Sequence, residues 1–129
     1  MLNKFTVEII SPDQLILKQE TNEVTIPCYE GQMGILKDHI PLITFLRPGL
    51  ITIKSENESK YYVEEGTVEF SNNNLLILTS TVKNLLNFDQ NSISDLIQKE
   101  EVKLNDPKIS DKERYIASYK LDTFREINQ

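Results

Sequence analysis

The side chains that could do chemistry in this 129-residue chain are few and scattered. Its single cysteine, Cys28, and its single histidine, His39, lie eleven residues apart. A thiol and an imidazole form a nucleophile and base pair when the fold places them side by side. No residue pattern identifies a third, orienting group or an oxyanion hole. One hypothesis is therefore a hydrolase using both residues; the other is a small strand-edge cysteine and a histidine that is hydrogen-bonded in a loop or contacts another subunit.

The remaining polar motifs do not assemble into a site. Glu64 and Glu65 are adjacent near a predicted strand end, so their side chains point to opposite faces and cannot work as a paired acid and base. The spacing Gly31-x-x-Gly34 is too short for a phosphate-binding loop and is interpreted as a mark of tight turns that need positive φ. One cysteine and one histidine exclude an internal disulfide and a cysteine or multi-histidine metal site. The sequence predicts no catalytic residue, no metal and no cofactor.

Composition and charge narrow the classes of partner. The chain is 39% hydrophobic and 26% charged, with a net charge of −6 and a pI near 4.8. Without a basic cluster, nucleic acid and anionic lipid are not expected as main partners. No apolar run approaches the roughly 20 residues of a membrane span, and the first residues lack signal or transit character. Membrane association is expected only through a partner, and the missing transit peptide favours a bacterial protein.

The elements that must position these residues are predicted to be β-strands up to about residue 86. Apolar residues alternate with polar ones, as in Phe5, Val7 and Ile9, and turn signals separate the runs. The spacing predicts about ten short strands in a sandwich or flattened barrel. The turn signals lie at residues 11–13, 48–49, 55–59, 65–66 and 71–74.

After Asn87 the apolar spacing changes to three and four residues, which predicts an antiparallel pair of helices. Ser92 with Asp95 is a weak capping signal for the first helix, whose apolar stripe Glu100 interrupts. The second helix is expected to begin either at Asp106-Pro107 or at the capping box Ser110-x-x-Glu113. The predicted fold class is mainly β with an α appendage, with a β-sandwich domain over residues 1–87 and a helical hairpin over residues 88–129.

The segment from Ile26 to Gly49 is the most specific part of the chain. It holds three of the four glycines and three of the five prolines, alternating with short apolar runs. Its pattern, Pro-x-x-Glu-Gly-x-x-Gly-Ile-Leu-x-x-His-x-Pro-Leu-x-Thr-x-Leu-x-Pro-Gly, resembles the signature of the epsilon subunit of F-type ATP synthases, the counterpart of mitochondrial delta. The strand Val7–Pro12 and the run Tyr62–Glu69 extend the resemblance over nearly the whole chain.

The resemblance implies a non-catalytic rotor subunit in the central stalk. Such a subunit would couple ion flow to ATP synthesis at the cytoplasmic face of the bacterial inner (plasma) membrane, to which it would be bound peripherally. The implied partners are the gamma subunit and the c-ring. Carried over by position, a loop of Glu30, Gly31, Gln32, Met33 and Gly34 faces the ring, and Lys37, Asp38 and His39 lie near gamma and the ring. Gln32 is neutral where an acid is common, and Lys37-Asp38 replaces a Pro-Gly turn.

The resemblance also implies that the hairpin can extend into the catalytic head and restrain ATP hydrolysis. Lys112, Arg114 and Arg125 would then meet the alpha and beta subunits; the last 25 residues hold 5 Lys/Arg and 5 Asp/Glu, whereas residues 1–104 hold 9 and 15. The segment 95–99 lacks the arginine of the family's ATP-binding motif, so ATP sensing is not expected. The alternative to this interpretation is a free-standing β-sandwich adaptor that binds a protein or a small ligand.

Overall fold

The computed structural model describes residues 3–128 and divides into two compact units, Met1–Asn84 and Leu85–Gln129. The first unit is built from strands and the second from helices, as predicted. The strands are β1 Phe5–Ile10, β2 Leu15–Thr21, β3 Glu23–Cys28, β4 Gly31–Leu36, β5 Leu42–Leu46, β6 Gly49–Lys54, β7 Glu58–Val63, β8 Gly66–Ser71, β9 Asn74–Thr79 and β10 Val82–Asn84. A short 3-10 turn, Leu85–Asn87, precedes the helices α1 Gln90–Leu104 and α2 Asp111–Ile127.

The ten strands form one hydrogen-bonded sheet that curls into two layers. One layer has the order β4-β3-β6-β7-β10 and the other has the order β5-β8-β9-β1-β2. A single residue pair, Cys28 with Leu46, joins β3 to β5 where the sheet passes from one layer to the other. Strands β1 and β9 pair in parallel, and the other pairs are antiparallel. As a result, β4 and β5 each have one edge largely without a neighbouring strand.

The core explains why these segments become strands. In β1 the side chains of Phe5, Val7 and Ile9 are buried while their neighbours are only partly covered, which is the predicted alternation. The ring of Phe5 meets that of Phe70 edge to face, with 5.7 Å between the ring centroids. Aliphatic side chains from both layers complete the core, among them Val24, Ile26, Ile35, Ile51, Ile53, Leu75 and Ile77.

Each helix begins at a capping residue, and the sequence predicted the cap of α2 but not that of α1. The prediction of Ser92 as the first cap was wrong by three residues. Asp89 is the N-cap of α1, because its carboxylate accepts the Ser92 backbone N–H at 2.8 Å. Of the two starts considered for α2, the structure has the capping box: Ser110 Oγ accepts from the Glu113 N–H, and Glu113 accepts from the Ser110 N–H. Among the described residues, neither helix is both long and apolar enough to cross a membrane.

Candidate protein-binding surface

The thiol of Cys28 is not placed for nucleophilic chemistry. Its side chain is fully buried in the core. Burial raises its pKa, and the smaller effect of a hydrogen bond with Thr44 acts in the opposite direction. An activated thiol needs a lowered pKa and access to a substrate, so this environment is the reverse of what a cysteine hydrolase requires.

The side chain of His39 is held by its own loop. Its Nδ1 lies 2.7 Å from the Ile40 carbonyl oxygen, and its ring packs edge to face on Phe70 with 5.9 Å between centroids. Its backbone N–H donates to the Leu36 carbonyl at 3.1 Å. The histidine therefore closes the turn after β4 and lies half-buried at the rim of the core.

The other polar groups do not form a metal or acid and base site. In the part of the chain that the structure describes, no group of three or more His, Cys, Asp or Glu side chains could hold a metal ion. Glu64 accepts a hydrogen bond from the Tyr62 hydroxyl at 2.8 Å, while Glu65 is exposed. The two carboxylates thus have different surroundings, and both lie in the connection between β7 and β8, so the predicted strand end is a turn.

The expected ring-facing loop is shorter than the sequence suggested. The prediction that residues 30–34 form a loop was wrong for residues 31–34, which belong to β4 and pair with β3. Only Tyr29 and Glu30 form the turn, and Gly31 follows it with a φ of 121°, a conformation that L side chains rarely adopt. Gly34 has no positive φ, so the turn interpretation holds for the first glycine alone.

The predicted contact residues lie in two places. Glu30, Gly31, Gln32 and Met33 are at the start of β4, whereas Lys37, Asp38 and His39 follow its end. At about 3.3 Å per residue, the nearest members of the two groups, Met33 and Lys37, are about 13 Å apart along the strand. The predicted contact residues therefore form two groups, one at the start of an edge strand and one just after its end.

The turn at Lys37-Asp38 is bonded to a second turn, far away in sequence. Asp38 has a φ of 65°, in the left-handed region. Its backbone N–H donates to Asn73 Oδ1 at 2.7 Å, and Asn73 Nδ2 donates to Asp38 Oδ1 at 2.9 Å. These two reciprocal hydrogen bonds, called the clasp below, connect the β4–β5 loop to the β8–β9 turn.

The asparagine run has a structural explanation in that second turn. Ser71 pairs with Asn74, which leaves Asn72 and Asn73 as a two-residue hairpin connection. Their φ values of 49° and 58° are both positive, as a type I′ turn requires, and asparagine tolerates this conformation better than most residues. The Asn73 carbonyl also accepts the Thr6 N–H at 3.0 Å, so β1 holds the turn as well.

The outward face of the second layer carries a continuous row of mainly apolar side chains. Strand register places one residue from each of five neighbouring strands side by side. This outer row consists of Phe45, Thr67, Leu78, Ile10 and Leu15. Phe45 is 60% exposed, and Ile43, two residues away on the same face of β5, is 75% exposed. An apolar surface of this extent is typical of protein-binding sites.

Two open grooves follow this face. One, of about 610 Å³, is lined by Ile10, Ser11, Pro12, Leu78 and the strand start at residues 65–67. The other, of about 460 Å³, lies between Pro41–Ile43 and Glu69–Ser71. Both grooves border residues of the exposed apolar face, so this face has concave as well as flat regions.

Sequence reasoning did not identify the outer row, although a signal for it exists. The run Leu75–Leu78 is apolar at consecutive positions, and Leu42–Leu46 is so except at Thr44, so each strand presents apolar side chains to both faces of the sheet. One face of such a strand packs in the core, and the other is either covered by a partner or exposed. The sequence pattern alone does not predict which of the two faces is buried.

Within the second unit, two of the predicted head-contact residues join the helices to each other. Arg114 donates to the carbonyl oxygens of Leu104 at 2.8 Å and Asp106 at 3.3 Å, so it satisfies the C-terminal end of α1. Arg125 forms an ion pair with Glu101 at 2.9 Å. Lys112 is exposed on the first turn of α2.

Glu100 is the exceptional residue of α1. It is only 3% exposed, and its Oε1 has no hydrogen-bond partner among the described residues. The predicted interruption of the apolar stripe is therefore confirmed, because a glutamate side chain occupies a buried position of the helix. A buried polar atom without a partner reduces stability.

The chain is thus a β-sandwich followed by a helical hairpin, and the sandwich exposes an apolar row of the kind that protein-binding surfaces carry. Residues 4–84 match the family model of the ATP synthase delta/epsilon chain, β-sandwich domain. The chain belongs to this family.

Relatives and a solved structure agree with this assignment. The ATP synthase epsilon chain of Pelagibacter ubique is 43% identical over 130 residues, covering 99% of this chain and all of that one. The mitochondrial ATP synthase subunit delta of Schizosaccharomyces pombe is 35% identical over 106 residues, covering 79% of this chain and 64% of that one. A chain of the Euglena gracilis mitochondrial ATP synthase, solved with OSCP, F1 and c-ring, superposes with a TM-score of 0.80 at 21% identity, covering 97% of this chain and 79% of that one. This last likeness concerns the fold.

Proposed function

We propose that this chain is the epsilon subunit of an ion-translocating F-type ATP synthase, where it turns with the central stalk and has no active site of its own. The observation that carries the proposal is the family match over the β unit. The buried Cys28 thiol and the loop-bound His39 give no support to the hydrolase hypothesis. The chain would act by binding the rotor and transmitting torque between ion flow and ATP synthesis.

The partners in this proposal are the gamma subunit and the c-ring. The outer row and Ile43 supply the apolar surface for gamma, since an exposed phenylalanine and several aliphatic side chains favour burial against a protein. The start of β4, with Glu30, Gly31, Gln32 and Met33, would face the ring. Lys37, Asp38 and His39, at the other end of β4, would contact gamma beside the outer row.

The hairpin is proposed to contact the alpha and beta subunits of the catalytic head when it extends. Lys112 is exposed already, whereas Arg114 and Arg125 are bonded to α1 in the structure. Separation of the helices would release both guanidinium groups for acidic segments of the head. Because Asp111 and Asp122 accompany them on α2, and exposed ion pairs contribute only about 0–1 kcal/mol each, any restraint of hydrolysis is expected to be modest.

The location follows from the partners. The chain would be peripheral at the cytoplasmic face of the bacterial inner membrane and would reach it only through the ring and gamma. No nucleic acid, metal or cofactor takes part in the proposed function.

Co-expression with the gamma subunit from the same organism tests the proposal. A tagged chain is expected to elute with gamma as an equimolar complex, and a fragment of residues 1–87 is expected to do the same, because its core closes without the helices. If neither the full chain nor the fragment binds gamma, and the full chain instead binds a different protein or a small ligand, the result would favour the adaptor alternative. Truncation after Asn91 in the whole complex is expected to raise ATP hydrolysis about fivefold, a coupling of about 1 kcal/mol; unchanged hydrolysis would exclude the restraint.

A further inference from the structure

The clasp between Asp38 and Asn73 connects two turns 35 residues apart in sequence. Neither turn residue is a glycine, and both have positive φ. Aspartate and asparagine adopt the left-handed conformation more readily than other residues apart from glycine, but it is not their preferred one, so hydrogen bonds help to hold it. At Asp38 the clasp supplies two such contacts, because it pairs both the backbone N–H and the side-chain oxygen.

Asn73 is the fixed side of the clasp. It is part of the hairpin connection between β8 and β9, and its carbonyl oxygen is bonded to the Thr6 N–H in β1. The β4–β5 loop, in contrast, joins two edge strands that each have one side largely unpaired. The clasp thus connects a turn that is held by strand pairing to a loop whose flanking strands are paired mainly on one side.

The two turns lead directly into exposed apolar surface. The β4–β5 loop continues into Ile40, which is 74% exposed, and then into Pro41–Ile43 on one side of the smaller groove. The β8–β9 turn follows Glu69–Ser71 on the other side of that groove. The clasp therefore fixes the relative position of two segments that shape one end of the exposed apolar face.

We infer that Asn73 is a positioning residue for binding of gamma: through the clasp it holds the Lys37-Asp38-His39 loop in the conformation that gamma recognises. This inference rests on the proposed function, and it assigns a role to the asparagine run that lies outside the expected contact residues. Asn73 itself need not touch the partner.

The experiment measures the affinity of isolated full-length variants for purified gamma by biolayer interferometry, together with their melting temperatures. Asn73→Gly removes the side chain and keeps the positive φ without strain. Asn73→Asp places two carboxylates against each other. The double variant D38N/N73D exchanges the groups, so that the amide of residue 38 and its backbone N–H again donate to a carboxylate. Asn72→Gly is the matched control, since it alters the same turn outside the clasp.

We expect Asn73→Gly and Asn73→Asp to bind gamma about tenfold more weakly, with melting temperatures within a few degrees of the wild type. Asn72→Gly should bind within twofold of the wild type, and the double variant should recover most of the affinity. Amide exchange at residue 38, followed by NMR, should accelerate in Asn73→Gly and slow again in the double variant.

Wild-type affinity of Asn73→Gly would overturn the inference while leaving the proposed function intact. The inference would also fail if Asn72→Gly loses as much affinity as Asn73→Gly, or if the double variant does not restore the affinity. A wild-type chain that fails to bind gamma would instead overturn the proposed function, and the positioning role with it.

Discussion

The exposed ring of Phe45 offers the sharpest test of the outer row. A phenylalanine side chain buries about 150–250 Å² when fully covered, and Phe45 is 60% exposed in the isolated chain. About 120 Å² is thus available to a partner, and at about 25 cal/mol per Å² its complete burial would contribute about 3 kcal/mol. Imperfect coverage and the ordering of side chains reduce that figure. We expect Phe45→Thr to weaken gamma binding by about 2 kcal/mol, or about 30-fold.

The same substitution should hardly affect the isolated chain. Threonine suits an exposed strand position, and surface substitutions usually change the free energy of unfolding by less than about 0.5 kcal/mol. Val102, which is 65% exposed on α1, provides a control: Val102→Thr removes an equally exposed apolar side chain of the other unit and should bind gamma normally. Equilibrium denaturation gives stability, and biolayer interferometry gives affinity. If Phe45→Thr binds within threefold of the wild type, or if both variants lose equally, the outer row is not the gamma surface.

Four further predictions concern stability and reactivity. Gly66→Ala should lower the free energy of unfolding by about 1–3 kcal/mol, because its Cβ would collide with the backbone of the neighbouring strand and come within 2.9 Å of a threonine Cβ; Gly34→Ala, whose nearest atom is at 3.8 Å, should change it little, and equal losses would contradict this reason. Cys28 should react with iodoacetamide only at the rate of unfolding, since burial removes access and raises its pKa; rapid labelling of the native chain would show otherwise. Hydrogen bonds from Ser110 lower the pKa of Glu113 from 4.5. The ionised carboxylate therefore stabilises the folded hairpin fully above pH 4.5, and this stabilisation is lost as the pH falls through the lowered pKa. Glu113→Gln should remove this part of the acid unfolding transition, followed by helical circular dichroism, and an unchanged transition would refute the prediction. Glu100→Met should raise stability by about 1–3 kcal/mol, as it removes a buried oxygen without a partner, and a loss in thermal unfolding would show that this carboxyl has a role that the contacts do not reveal.

Much of the architecture could be predicted because it depends on local chemistry. Alternation along β1 follows from two-residue periodicity, and most strands are closely followed by glycine, proline or asparagine, although β4 and β9 are not. The start of α2 follows from one capping box. The first helix was less predictable: the sequence pattern indicates Ser92 with Asp95 as its capping signal, whereas the hydrogen bond from the Ser92 N–H shows that Asp89 is the cap.

The sequence by itself determined the strands, the hairpin and the likeness to the family, because these depend on neighbours in the chain. Only the tertiary structure decided which apolar face stays exposed, since Leu42–Leu46 is apolar on both sides and pairing with β8 selects the outward one. It also decided that Asn73 meets Asp38 and that Arg114 meets Leu104. Such contacts depend on strand register and helix packing between distant segments, and a shift of one residue in register would turn every side chain of a strand to the other face.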